Sequence, residues 1–259
     1  MELLRVLTVQ DEIRIHIIEN VMPLLERSVN SFYSVLSKAE LVGVQEKVQP
    51  RFVEPHSGHF MLLMAVKSVS TLNAIICLIK AGYVQEVGIL YRVLIECNAK
   101  ILCIEEAHTK GVLNAEQKKI VDDYFENDIR SAEDIINGNN WWVDMKKVNA
   151  SQARFLSEGT GNKDVHTIRT HIQTIYDAFS GYVHGLYSHI MELNDVNTGT
   201  FTLKGCSPRV DGMLDVVSSG VLQTLNTFSQ IALRLGLSEL KKELIYNRDV
   251  FIKSEAYCG

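Results

Sequence analysis

The sequence predicts an all-α protein, a bundle of about seven or eight helices in a single domain that spans residues 1–259. Apolar residues recur at helical spacing in nearly every segment. Only 4 prolines and 16 glycines occur in the 259 residues, too few for the many turns of a β-rich fold. Hydrophobic residues make up 46% of the chain, which is ample for one large core.

The first half of the chain contains the most apolar helices. An N-terminal helix is predicted over 10–38, and Pro23 is expected to kink or break it. Residues 48–59 hold two of the prolines and are predicted to form a loop. Helices over 58–80 and 83–107, joined by a turn at 81–83, are apolar on most faces. We therefore expect them at the centre of the bundle.

The second half alternates helices with polar breaks. Helices are predicted over 114–137, from about 143 to 156, and over 165–191, 212–235 and 238–256. The first of these is rich in charge and should lie at the surface. Loops are predicted at 137–142 and 157–164, and residues 193–211 should be irregular with a short strand pair in GTFTLKG. The core bundle then covers about 58–235, between the N-terminal helix and the C-terminal helix 238–256.

Composition also restricts the setting of the protein. A net charge of −5 argues against a dedicated nucleic-acid binder with a broad basic face. The five cysteines are odd in number, and Cys77, Cys97 and Cys103 lie in apolar helical stretches, which favours a reducing cytoplasm over disulfides. Charged residues precede any apolar run, so we expect no signal peptide. Polar residues interrupt the apolar segment 60–83, which indicates a buried helix and no membrane span.

Common catalytic and metal-binding signatures are absent from the sequence. No phosphate-binding loop, G-x-S-x-G elbow, C-x-x-C pair or H-E-x-x-H motif occurs. His56 and His59 are three residues apart in HSGH, but without nearby cysteine or carboxylate partners they are more typical of loop histidines than of zinc ligands. The prediction is therefore no metal and no cofactor.

The first motif of interest is LYRVLIEC, at residues 90–97. Arg92 and Glu96 lie at positions i and i+4 within one of the most apolar helices. Burial of an isolated charge is very costly, so both groups should be paired with each other, with a facing helix or with a ligand.

The second motif is YDAFSGYVHG, at residues 176–185. Tyr176, Ser180 and His184 recur every four residues and should share one helix face. Gly181 and Gly185 would let another helix or a substrate approach that face closely.

The two motifs together suggest one site if their helices face each other. His184 could act as general acid or base, and Arg92 could hold a phosphate and stabilise transition-state charge. Glu96 would orient Arg92, while Tyr176 and Ser180 would position the substrate or the histidine tautomer. The alternative is a buried polar network that fixes helix packing and needs no substrate, and the residues alone leave both interpretations open.

These motifs resemble a DUF5677-type family of helical proteins of unknown function. The arginine-x3-glutamate helix matches Arg92 and Glu96, and a YxxxSxxVHG-like stretch matches Tyr176, Ser180 and His184, with similarity over roughly residues 60–235. The family is distantly similar to the HEPN superfamily. That resemblance implies a HEPN-like helical core and, in many members, a dimeric ribonuclease that acts as a toxin or in antiviral defence. HEPN ribonucleases carry an arginine four to six residues before the histidine, so here Arg92 would supply that charge from another helix.

The sequence therefore supports two hypotheses. The first is a HEPN-like protein of a microbial defence or toxin system that acts on RNA or a nucleotide, as a metal-independent endoribonuclease, through the five residues of the two motifs. The second is a non-catalytic binding, scaffold or regulatory subunit, which includes an antitoxin-like subunit. RNA or a nucleotide, a partner protein and a second copy in a homodimer are the expected partners.

Overall fold

A computed structural model describes residues 7–42, 49–126, 145–160, 164–195, 199–201 and 210–256. The described chain is an all-α bundle, as the sequence predicts, with nine helices and two short antiparallel strand pairs. The helices are α1 (Val9–Val35), α2 (Ser57–Lys80), α3 (Val84–Thr109), α4 (Ala115–Glu126), α5 (Met145–Thr160), α6 (Val165–His184), α7 (Tyr187–Met191), α8 (Val210–Arg234) and α9 (Ser238–Ala256). The strands are β1 (Glu40–Val42), β2 (Gln49–Arg51), β3 (Asn194–Asp195) and β4 (Thr200–Phe201).

Helix α3 lies at the centre of the bundle. It packs against α2, α4, α5, α6 and α8, while α1 packs against α2, α8 and α9. The turn between α2 and α3 forms at 81–83, as predicted, because Gly82 adopts a φ of 83° that favours glycine. The sequence therefore predicted the two central helices correctly.

Helix α1 continues through Pro23 from Val9 to Val35, so of the predicted kink or break the break does not occur, and the kink stays a prediction. Residues on both sides of the proline are buried, among them Val21, Met22, Leu24 and Leu25. Pro23 itself is exposed. It has no amide hydrogen to donate to the carbonyl group four residues earlier, and at an exposed position water can replace that donor. Burial of the apolar face outweighs the missing hydrogen bond.

Two predicted loops are shorter than expected. Residues 157–160 belong to α5, with Ser157 buried, so the predicted loop 157–164 is helical in its first half, and residues 161–163 lie outside the described part of the chain. The predicted loop 48–59 contains β2, which pairs with β1, and the first turn of α2. Of the strand pair expected within GTFTLKG, β4 lies in that segment but pairs with β3, which precedes it, and residues 202–209 lie outside the described part of the chain. The predicted loop at 137–142 also lies outside it.

The predicted helix 165–191 is two helices, α6 and α7. Gly185 ends α6 in the left-handed conformation, with a φ of 59° and ψ of 43°. The amide groups of Gly185 and Leu186 both donate to the carbonyl of Gly181. This arrangement is a helix C-cap that glycine permits and other residues disfavour, so the chain turns before it continues as α7.

The core is a continuous apolar cluster that joins α1, α2, α3, α8 and α9. Phe32 and Phe228 meet edge-to-face within it, with ring centroids 5.5 Å apart. Cys97 and Cys103 are buried as expected, whereas Cys77 is exposed. Helix α2 is long and apolar enough to cross a membrane by length and composition, and more than half of its apolar window is buried inside the protein.

Candidate functional site

The two sequence motifs lie on neighbouring helices that run antiparallel. The rings of Tyr91 on α3 and Phe179 on α6 have centroids 4.7 Å apart. One turn earlier on α3, Gly88 faces Tyr182, and a Cβ atom on Gly88 would lie 2.8 Å from the tyrosine ring. A residue without a side chain at position 88 therefore allows α6 to approach α3 closely.

Arg92 joins the two motifs. Its Nε donates a hydrogen bond of 3.0 Å to Glu96 Oε1, and its Nη2 donates one of 2.6 Å to the Tyr176 hydroxyl. The guanidinium carbon lies 4.6 Å from the centre of the Tyr176 ring. The Arg92 side chain is 17% exposed, and its buried Nη1 has no hydrogen-bond partner in the described part of the chain. Arg92 thus bonds to Glu96 and Tyr176 through Nε and Nη2, while Nη1 is buried without a partner among the described residues.

Tyr176 remains a neutral phenol in this arrangement. Burial raises its pKa above the usual value, the Glu96 carboxylate adds to the rise, and the neighbouring Arg92 only partly opposes it. The phenol therefore accepts a hydrogen bond from Arg92 and stays protonated at neutral pH, which suits a packing contact better than proton transfer.

Ser180 and His184 do not join Arg92. The Ser180 hydroxyl donates a 2.9 Å hydrogen bond to the carbonyl of Tyr176 in its own helix. His184 is the last residue of α6 and is exposed. Its imidazole forms no hydrogen bond with any described residue. It lies eight residues beyond Tyr176, about 12 Å further along the helix axis. The structure thus brings Arg92, Glu96 and Tyr176 together, and the catalytic roles of all five residues stay predictions.

The two glycines of the second motif serve contacts within the chain. The His189 ring from α7 occupies the space that a side chain on Gly181 would need. Gly185 provides the C-cap that redirects the chain. Neither glycine leaves an open approach for a substrate along the buried side of α6.

A second buried polar cluster surrounds Glu106 on α3, and sequence reasoning missed it. The Glu106 side chain is 3% exposed. Arg154 Nε donates to Glu106 Oε1 at 2.6 Å, Arg154 Nη2 to Oε2 at 3.1 Å, and Lys110 Nζ to Oε1 at 2.8 Å. The Ser151 hydroxyl also donates to Oε2. These donors outweigh the effect of burial and lower the pKa of Glu106 to about 2, so the carboxylate stays ionised.

The preceding residue, Glu105, has the opposite environment. Burial raises its pKa to about 7, although Arg234 lies 3.7 Å from Oε2 and opposes the rise. Its buried Oε1 has no hydrogen-bond partner among the described residues. One turn further, His108 Nε2 lies 3.1 Å from the Ser57 hydroxyl, and burial and Arg234 lower the pKa of this imidazole.

The signal for both carboxylates was present in the sequence. The segment CIEEAH places two adjacent glutamates in the same apolar helix as Arg92, where each needs a partner. The partners could not be read from the sequence, because Arg154 and Ser151 lie on α5 and Arg234 on α8.

No group of three or more potential ligands among the described histidine, cysteine and acidic residues is placed to hold a metal ion. His56 and His59 instead lie at the N-terminus of α2, where their side chains accept backbone hydrogen bonds.

The fold and the site define an all-α helical protein with buried ion pairs along a central helix. Within it, residues 58–158 match the model of a family of unknown function, DUF5677. The match contains Arg92 and Glu96 as well as the Glu106 cluster, and it ends before α6, so the motif with His184 lies outside it. No curated protein and no solved structure matches the chain. The likeness to the HEPN superfamily stays a prediction.

Proposed function

We propose that this protein is a non-catalytic binding or regulatory subunit of a microbial defence or toxin system, in which the Arg92–Glu96–Tyr176 cluster holds α6 against α3. The pairing of Arg92 with Glu96 and Tyr176 supports this proposal, because the bond to Tyr176 joins α3 to α6 and Glu96 holds the Arg92 side chain in position for it. The defence or toxin setting, the cytoplasmic location and a homodimer rest on the sequence and its resemblance alone.

A metal-independent ribonuclease or nucleotide-acting effector is the second candidate. The exposure of His184 favours it, since an exposed imidazole without a side-chain hydrogen-bond partner among the described residues is accessible to a substrate. In this case Arg92 would have to exchange Tyr176 for a phosphate when RNA binds.

A double-mutant cycle tests whether the cluster is structural. We expect Arg92→Met and Tyr176→Phe each to lower the free energy of unfolding, and the two changes together to cost less than their sum. A coupling energy of about 1–2 kcal/mol is typical for a partly buried hydrogen bond to a charged group. Urea denaturation followed by circular dichroism measures it. Thr174→Val on the exposed side of α6 is the matched control and should change stability by less than about 0.5 kcal/mol.

Activity assays distinguish the non-catalytic subunit from the ribonuclease. RNA cleavage and growth inhibition are measured for the wild type, for His184→Ala and for Tyr176→Phe. The subunit proposal expects no cleavage by the wild-type chain and no effect of His184→Ala. Cleavage that disappears in His184→Ala with an unchanged melting temperature would overturn the subunit proposal in favour of the nuclease.

A further inference from the structure

The N-terminus of α2 is capped by two histidines, a feature that the proposed function does not use. His56 precedes the helix and accepts a hydrogen bond at Nδ1 from the Gly58 amide, 3.0 Å away. His59 accepts one at Nδ1 from the His56 amide, at 3.3 Å. This is the reciprocal pattern of a capping box, in which serine or threonine and glutamate or glutamine normally supply the two acceptors. Here both acceptors are imidazole nitrogens, which lose their acceptor capacity when they bind a proton.

The same imidazoles hold the segment that carries β1 and β2. Because His59 Nδ1 accepts, its Nε2 carries the proton and donates to the Ser37 carbonyl at 3.2 Å, with the Ser37 hydroxyl 2.9 Å away. The Phe52 and His56 rings each lie with their centroids 4.1 Å from that of His59. Ser37 precedes β1 and Phe52 follows β2, so the buried His59 contacts the chain on both sides of the strand pair, at the end where Glu40 pairs with Arg51.

We propose that His56 and His59 form a pH-sensitive latch that fastens the β1–β2 segment to the N-terminus of α2 when neutral and releases it when protonated. A proton on either Nδ1 turns the acceptor into a donor that points at a backbone amide. It also places positive charge at the positive end of a 24-residue helix. Both effects act against the cap, which the two histidines supply among the described residues.

The surroundings of His59 favour its neutral form. Burial lowers the pKa of His59, and the adjacent His56 lowers it further. On α3, His108 contacts Ser57 in the first turn of α2, and Arg234 from α8 acts on His108. Glu105, one turn before His108, has a pKa of about 7 and becomes neutral as the solution is acidified.

Other charges near the latch are peripheral. Glu54 is exposed and lies two residues before His56. Lys38 follows Ser37, and its ammonium group donates a hydrogen bond to the Tyr33 carbonyl. Protonation of the imidazoles therefore adds positive charge at this end of the bundle, while acidification removes the negative charge of Glu105.

Hydrogen exchange tests the latch directly. We expect protection factors of the amides at 37–42 and 58–61 to fall about tenfold or more between pH 7.5 and pH 5.0, a size typical of losing a helix cap and adding a charge. The amides at 225–231, in the middle of α8, provide the internal reference after correction for intrinsic exchange. A fall no larger than that of the reference would overturn the proposal.

The matched variant is His56→Asn with His59→Gln. Asparagine is a good N-cap and glutamine a normal partner at the third helical position, so this pair keeps both acceptors without a titrating group. Protection at 37–42 should then lose its dependence on pH, whereas the exposed control His171→Asn should behave as the wild type. Retained pH dependence in the double variant would contradict the latch.

A measurement on the wild type covers the case in which the double variant does not fold. Nitrogen chemical shifts of the two imidazoles report the tautomers and their titration. Neutral His59 should carry its proton on Nε2, and its protonation should coincide with the loss of protection. Nδ1-protonated His59 at pH 7.5, or titration without a change in protection, would also refute the latch.

Discussion

At the scale of single residues, the central helix tolerates buried charge only where donors converge on it. Glu106 receives hydrogen bonds from Arg154, Lys110 and Ser151, and its carboxylate stays ionised although it is 3% exposed. Glu105 has the Arg234 guanidinium 3.7 Å from its Oε2, and its pKa is about 7. Adjacent residues of the same type thus differ in charge state because their helix faces meet different neighbours.

Glu106→Gln should be strongly destabilising. The change removes the acceptor charge and leaves the Arg154 and Lys110 cations with a poor partner, so we expect a loss of about 2–3 kcal/mol in the free energy of unfolding. Arg154 is about half exposed, which keeps the loss below that of a fully buried pair. Chemical denaturation at pH 7 measures it. The control is Glu116→Gln, whose ion pair with Lys147 is exposed and should contribute less than about 0.5 kcal/mol.

The contribution of Glu106 to the free energy of unfolding should decrease as the pH falls. Its pKa is lowered from 4.5 to about 2 in the folded protein, so its stabilising contribution is fully present above pH 4.5 and is lost as the pH falls toward 2. The difference in unfolding free energy between the wild type and Glu106→Gln should therefore narrow between pH 4.5 and pH 2.5. A constant difference over this range would show that the pKa of Glu106 is not lowered.

At the scale of elements, the approach of α6 to α3 depends on one glycine. A Cβ atom on Gly88 would meet the Tyr182 ring at 2.8 Å, so Gly88→Ala should separate the helices and cost about 1–3 kcal/mol. Gly212 is the matched control. It lies in the first turn of α8 with nothing within 4 Å of the added atom, and Gly212→Ala should stabilise the protein by up to about 1 kcal/mol. Thermal unfolding of both variants checks the opposite signs, and destabilisation by both would refute the steric explanation.

The helices were predictable and several of their ends were not. Apolar periodicity located α2 and α3 to within a few residues, because burial of an apolar face is the main reason these segments are helical. The same periodicity continues across Gly185, where the left-handed cap divides α6 from α7, and across Pro23, where helix α1 does not end. Local backbone preference and packing compete at such positions, and spacing alone does not reveal which prevails.

The candidate site was predictable in part for a similar reason. A buried arginine must have a partner, and Arg92 pairs with Glu96 on its own helix and with Tyr176 on the facing one. The position of His184 depends on where α6 ends and on which side of it faces solvent, neither of which follows from the four-residue spacing. The Glu106 cluster assembles side chains from α3 and α5, so only the need for partners, and not their identity, was readable from the sequence.

At the scale of the whole molecule, stability should be unevenly distributed. Helix α3 buries more than half of its residues, whereas the only buried residue of α6 is Gly181. Among the described elements, helix α6 packs mainly against α3, α5 and α7, so it can detach while the core of α1, α2, α3, α8 and α9 stays intact.

Native-state hydrogen exchange should therefore show α6 opening before the core. We expect the amides of α6 to exchange through local openings that cost several kcal/mol less than global unfolding, and those of α3 and α8 only near the global value. Tyr176→Phe removes the acceptor for Arg92 and should speed exchange in α6 about 5- to 30-fold, the equivalent of about 1–2 kcal/mol, without a comparable change in α9. Equal protection in α6 and α3 would mean that the Arg92 cluster and the aromatic contacts bind α6 as firmly as a buried helix. In that case α6 would not be the part of the molecule that moves first.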